Sequence, residues 1–376
     1  MRDLLDHADL SRYAGQFVWL ELNYDAPENR EFLTKFGAEA TPLFFVINPR
    51  NEHVTATQPG AMSLQEIKQL LDRGASGVFV KGHTPADTAL VRGDTLRALQ
   101  PEVAATAYQQ ALSMAPANWS QRELAEASLV GALQDAGHWQ ECAETGAREA
   151  ARMTRNVMFG RTVVAGMWCV VSTDPAPWVE SAAHSLEALS MEALSLSITV
   201  RDHRDELYRC LMRLSLARND NAAAARWGEQ WLAELDAIKP ASDDERSALD
   251  IARVENIEVY GDPTRVLPAL IDSERAMPKN YIASLRLAEM QLAANHDDEA
   301  IAACDRALSR GAGASGKVWL LQMKSKALKQ QGRTAEAREV LEEALKTADD
   351  IPDKMMREMK VGMLSKALNA MDKPAN

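Results

Sequence analysis

The sequence predicts a mostly α chain, in which a short α/β portion at the N-terminus is followed by a solenoid of paired helices. Three observations carry that prediction. Apolar runs of strand type, Phe17 to Leu22 and Leu43 to Ile47, are confined to the N-terminal part of the chain. From Pro85 onward apolar residues recur at three- and four-residue spacings in a background of Ala, Leu, Glu, Arg and Met, the periodicity of amphipathic helices. Turn residues Gly261, Asn295 and Gly332 fall 34 and 37 positions apart, a period that suits one helix-turn-helix unit.

Taken in order, Met1, Leu4, Leu5, Leu10 and Tyr13 mark one face of a short helix ending near Ala14. Phe17-Val18-Trp19-Leu20-Glu21-Leu22 is apolar on both faces, which predicts a central strand. Asp25-Ala26-Pro27-Glu28 has capping-box spacing and opens a helix carrying Phe32, Leu33 and Phe36, with Gly37 as its C-terminal cap. The loop Ala40-Thr41-Pro42 leads into the strand Leu43 to Ile47. A polar turn, Asn48-Pro49-Arg50-Asn51, joins that strand to a weaker one from Glu52 to Thr57, so the two pair antiparallel. Ser63-Leu64-Gln65-Glu66 is a second capping box, whose helix has Ile67, Leu70 and Leu71 on its apolar face and Gly74 at its end.

The strand ending Leu22-Asn23-Tyr24-Asp25, the helix ending Lys35-Phe36-Gly37, Thr41-Pro42 before Leu43-Phe44-Phe45-Val46-Ile47, and Gly60-Ala61 before the last helix together resemble the thioredoxin family. The match runs from the middle of that family's active-site helix to its end and covers residues 1–74. It implies a partial thioredoxin-like fold in which Pro42 is the cis-proline facing the redox cysteines, with Thr41 offering main-chain groups to an extended substrate. The family's C-x-x-C pair has no counterpart, because no cysteine precedes Cys142. Disulfide exchange requires a thiolate, so as written the domain is redox-inactive and no catalytic residue is expected. Two readings stay open: a structural domain on an interaction scaffold, or a thiol-disulfide oxidoreductase whose C-x-x-C lies upstream of Met1.

After a linker over 75–84, helical units are expected near 85–116, 123–153, 247–280, 281–311 and 318–348, with an irregular stretch over 156–240. Small residues such as Ala300 and Ala307, seven apart, allow close helix approach. Ala104, Tyr108 and Ala111 before Pro116, and Ala337, Leu341 and Ala344 after Gly332, repeat the spacing. The array over 85–348 resembles the tetratricopeptide repeat, stacked helix pairs that form a curved solenoid. A final helix from Lys354 to Met371, within the C-terminal segment 349–376, looks like a terminal cap.

The formal net charge of −12 and the absence of a basic run disfavour a nucleic-acid partner. No segment is long and apolar enough to cross a membrane, and the Met1 region lacks a signal-peptide core, so a cytoplasmic protein is expected unless the true start lies upstream. The four cysteines, Cys142, Cys169, Cys210 and Cys304, are separated by 27, 41 and 94 residues and each falls in an apolar helical pattern, so all are expected to be free buried thiols. The histidines have no metal-binding spacing and no glycine-rich phosphate loop is present, so neither metal nor cofactor is expected. Tryptophans are assigned to helix packing. The tetratricopeptide resemblance implies a peptide partner on the concave face lined by first helices, with Arg209, Arg213, Arg286 and Lys326 as candidates and Glu255 and Glu289 between them. Arg209 and Arg213, one turn apart, could hold a carboxylate.

Overall fold

The computed structural model describes residues 5, 7–23, 26–36, 43–59, 62, 64–78, 84–173, 177–351 and 354–371. They fall in two units, Met1–Arg218 and Asn219–Asn376. In the first, helix α1 (Arg30–Phe36) presents Phe32 and Phe36 to Phe45 of strand β1 (Leu43–Ile47), with ring centroids 6.5 and 5.9 Å away. Strand β2 (Val54–Pro59) pairs antiparallel with β1, as its turn chemistry predicts. Because side chains alternate along a strand, Val46 points to the opposite side from Phe45, toward helix α2 (Leu64–Val78). There it joins Leu10, Tyr13, Ala56, Met62, Ile67, Leu70 and Leu71 in a core of the module's own residues. Tyr13, at the end of a 3-10 helix over Ala8–Tyr13, donates its hydroxyl to Asp72 Oδ1 at 2.7 Å and so fastens that segment to α2.

Two expectations change here. Gly74 does not end α2; a Cβ there would lie 2.4 Å from Val46 Cγ1, so glycine serves close packing of helix on sheet. Phe17 to Leu22 is not a strand, and Val18 and Leu20 are 87% and 75% exposed. Among the described residues the sheet has only β1 and β2, so no neighbouring strand covers that apolar run. The described part of residues 1–74 is thus a hairpin between helices and not the larger sheet that a thioredoxin-like fold implies. Thr41, Pro42, Gly37 and Gly60 lie outside the described residues.

The remainder is helical. In the first unit α3 (Pro85–Leu96) pairs with α4 (Pro101–Met114), α5 (Arg122–Asp135) with α6 (Trp139–Ala150), and α7 (Val157–Val171) with α8 (Pro177–Ser195), before α9 (Arg201–Ala217). The second unit holds α10 (Asn221–Ala237), α11 (Asp243–Val259) against α12 (Leu267–Ala276), α13 (Tyr281–Ala293) against α14 (Asp297–Ser309), and α15 (Ala314–Gln330) against α16 (Thr334–Ala348). Helix α17 (Lys354–Met371) lays Leu364 onto Val318, Leu321, Leu341 and Ala344. The first helices α5, α13 and α15 give way to turns at Gly137, Asn295 and Gly332, each with φ between 59° and 77°. Asn219, at φ 59°, does the same after α9. That left-handed conformation favours glycine and asparagine, which is why the turns punctuate the sequence.

Small residues set the spacing between helices. A Cβ on Gly93 of α3 would meet the Tyr108 ring of α4 at 2.4 Å, and one on Gly146 of α6 would meet the Gly166 Cα of α7 at 3.0 Å. That approach draws together two cysteines that the sequence leaves apart. Cys142 and Cys169 form a disulfide with a Cα separation of 6.1 Å, correcting the expectation of four free thiols. Cys210 and Cys304 are free and buried as expected.

Replacing Cys142 and Cys169 together by Ser should cost about 3 kcal/mol in chemical denaturation, given the length of the closed loop. Thiol titration of the denatured, unreduced wild type should find two reactive cysteines and not four. Gly93→Ala should destabilise by about 1–3 kcal/mol despite its better helix propensity, because the methyl has to displace the Tyr108 ring.

Candidate protein-binding faces

In the first unit α5 packs against α7 and α7 against α9, so the first helices of successive pairs make a continuous face. Several of its polar groups are held in pairs. Asp94 of α3 accepts from the Tyr108 hydroxyl at 2.8 Å and lies 3.3 Å from Arg73 of α2. Burial pushes the Asp94 carboxyl up, with Arg73 opposing. Arg97 spans to Asp135 of α5 at 2.8 Å and lies over Gly131, where a Cβ would meet its Nη2 at 2.3 Å. Arg161 of α7 reaches Glu66 of α2 at 2.6 Å, and burial brings its guanidinium down to about 10. His203 of α9, buried with its Nδ1 unpaired, is pushed down to about 3 by burial and by Arg161, so it is neutral at physiological pH.

Further along the same face the two arginines singled out in α9 have distinct neighbours. The Arg213 guanidinium lies 5.1 Å over the Trp168 ring, Trp168 Nε1 donates to Glu206 at 2.8 Å, and Arg209 is 3.4 Å from Glu206. Arg213 is exposed whereas Arg209 is half-buried, so the pair is not an open two-pronged clamp. Glu206 already occupies Arg209, and Trp168 orients Arg213 toward solvent. Sequence spacing placed both arginines on one helix edge but could not show Trp168 and Glu206, which depend on how α7 meets α9.

In the second unit, by itself, Arg286 on α13 pairs with Glu289 at 2.9 Å. Lys326 is exposed on α15, which packs on α13, while Glu255 is half-buried on α11. The polar centre there is Glu274, which takes Arg306 at 2.8 Å and Ser284 at 2.5 Å. Trp231 is fully buried, Trp119 is buried with Nε1 donating to Asp87 at 2.8 Å, and Trp319 is exposed beneath Lys360. Packing therefore explains some tryptophans, and not Trp168 or Trp319 alone.

A cavity of about 440 Å³ between α4, α5 and α6 is lined by Arg122, Glu123, Glu126, Glu149 and Arg152 with Leu112 and Met153. Burial, then Glu149 and Glu123, raises Glu126 to about 7 against the opposing Arg122 and Arg152. Among the described residues no group of three His, Cys, Asp or Glu is placed to hold a metal, and no helix is long and apolar enough to cross a membrane.

No protein-family model and no curated protein matches the chain. Two solved structures are similar in part. A tetratricopeptide repeat protein from Parabacteroides merdae shares 11% identity over 75% of this chain and 99% of its own, with a TM-score of 0.43. The TPR2AB domain of yeast Sti1, solved in complex with pHSP90, shares 14% over 77% and 98%, with a TM-score of 0.31. At scores this low neither likeness bears on what this chain does, and its helical-hairpin architecture rests on its own helix order and packing.

The Glu126 shift has a definite sign. Its folded pKa lies above the unfolded value of 4.5, so its stabilising contribution is complete below that value and is lost as pH rises through about 7. Glu126→Gln should therefore stabilise the chain at pH 8 by roughly 1 kcal/mol after solvent screening and leave it unchanged near pH 4.5, read from melting curves at the two values.

Proposed function

We propose that the chain is a non-enzymatic interaction scaffold, a tetratricopeptide-like helical array that binds a protein or peptide partner along the faces of its first helices. The observation that carries this reading is Arg213 stacked over Trp168 beside Glu206, an exposed cation on an aromatic support whose orientation is fixed by a hydrogen bond. Such a group suits a carboxylate on an approaching peptide. Arg286 and Lys326 are the matching candidates on the second unit's first helices. Redox catalysis by these cysteines is not favoured: two are joined, and burial raises the thiols of Cys210 and Cys304 far from the reactive thiolate range. The Cys142–Cys169 bridge favours a compartment in which disulfides persist over the cytoplasm expected from the sequence.

Panning a random peptide library on the full chain should enrich peptides bearing a carboxylate. Arg213→Ala should weaken the enriched peptides about tenfold, as loss of one charge-assisted contact implies, without moving the melting temperature. Arg286→Ala and Lys326→Ala test the second unit in the same way. Failure to enrich any peptide, or affinities untouched by all of these substitutions, removes the reading.

A further inference from the structure

Helix α2 has two jobs on two sides. Ile67, Leu70 and Leu71 belong to the core of its own α/β module. Glu66 and Arg73, two turns apart and roughly 20° from alignment on the helix circumference, face the repeats. Glu66 meets Arg161 on α7, the first helix of the third pair, and Arg73 meets Asp94 on α3, the first helix of the first pair. One helix thus runs across the face made by successive first helices, covering about 10 Å between its two charged contacts. Strand β2 also packs on α3, where the Thr95 hydroxyl donates to the Val54 carbonyl at 2.8 Å.

We propose that α2 is a resident, exchangeable ligand of this face, and that a partner helix reaches the face of the first three pairs only by replacing it. The occupant is defined by charge: a carboxylate for Arg161 and, seven residues later, a cation for Asp94. Both contacts are buried ion pairs, in which desolvation offsets most of the Coulomb attraction, so the docked state is specific in position yet weakly held. Once α2 leaves, Arg161 loses its carboxylate partner and Asp94 keeps the Tyr108 hydroxyl but loses its cation, which favours a replacement with the same charge order over an empty face. Arg97, already paired with Asp135, and neutral His203 flank Arg161 without competing for the carboxylate. This inference rests on the reading of the first helices as a binding face.

The test uses the full chain with a fluorescent peptide of sequence 62–78 as probe. Hydrogen exchange of α2 should rise at least tenfold in Glu66→Arg/Arg73→Glu, and adding Arg161→Glu and Asp94→Arg should restore protection. The peptide should bind the double variant at least tenfold tighter than wild type, while a peptide carrying the two reversals should not bind it. Glu66→Gln/Arg73→Gln, which places no like charges together, should show the same order in smaller degree and serves if the reversals disrupt folding. Unchanged α2 protection in both double variants, or equal peptide affinity for wild type and a variant with α2 released, overturns the proposal. If library peptides still bind through Arg213 in that case, only the exchange has failed; if they do not, the binding-face reading has failed with it.

Discussion

Close approach between helices is the constraint on which the rest depends. Helices separated by the thickness of a leucine cannot bring Asp94 under the Tyr108 hydroxyl or Cys142 against Cys169. Here Gly93 seats beneath the Tyr108 ring, Gly146 touches Gly166, and Ala300, Ala303 and Ala307 are all buried in α14. Each contact replaces bulk with proximity. The polar groups that end up inside, Asp94, Arg161, His203 and Asp250 among them, are tolerable because most have a charged or hydroxyl neighbour within reach. Tight packing and buried polarity are two aspects of one arrangement.

Much of this was legible in the sequence, for reasons that differ by element. The hairpin β1–β2 and the turns at Asn295 and Gly332 follow from local chemistry, and local chemistry is what a sequence carries. The equivalent turn at Asn219 went unread because the surrounding stretch includes helices of 17 and 19 residues, which stretch the period beyond recognition. Phe17 to Leu22 misled because apolarity on both faces reports what a strand needs and not whether neighbours exist to supply it. The disulfide was invisible because its partners sit on consecutive helices, and only their antiparallel stacking makes them adjacent. The candidate face divided in the same way: Arg209 and Arg213 could be placed on one edge of α9, but Trp168 and Glu206, which give them different roles, could not.

The face itself shows how charge can be used for position without much net stabilisation. Glu66 and Arg73 contribute little as bonds and a good deal as a register, since each meets an opposite charge on the repeats and a slip of one residue along α2 would misplace both. An apolar contact in their place would hold more tightly and specify less.

The position of the disulfide has a consequence for how the array comes apart. In a stack of repeats, each pair contacts only its neighbours, and a boundary between folded and unfolded repeats can in principle rest at any junction. Cys142 is on the second helix of one pair and Cys169 on the first helix of the next, so the bridge spans a junction and leaves both pairs internally uncrosslinked. It tethers two repeats to each other, so a segment that unfolds on one side stays held to the folded other side and gains less entropy, which disfavours a boundary between them. Fraying that reaches α6 or α7 meets an added entropic cost at this junction that the other junctions lack among the described residues.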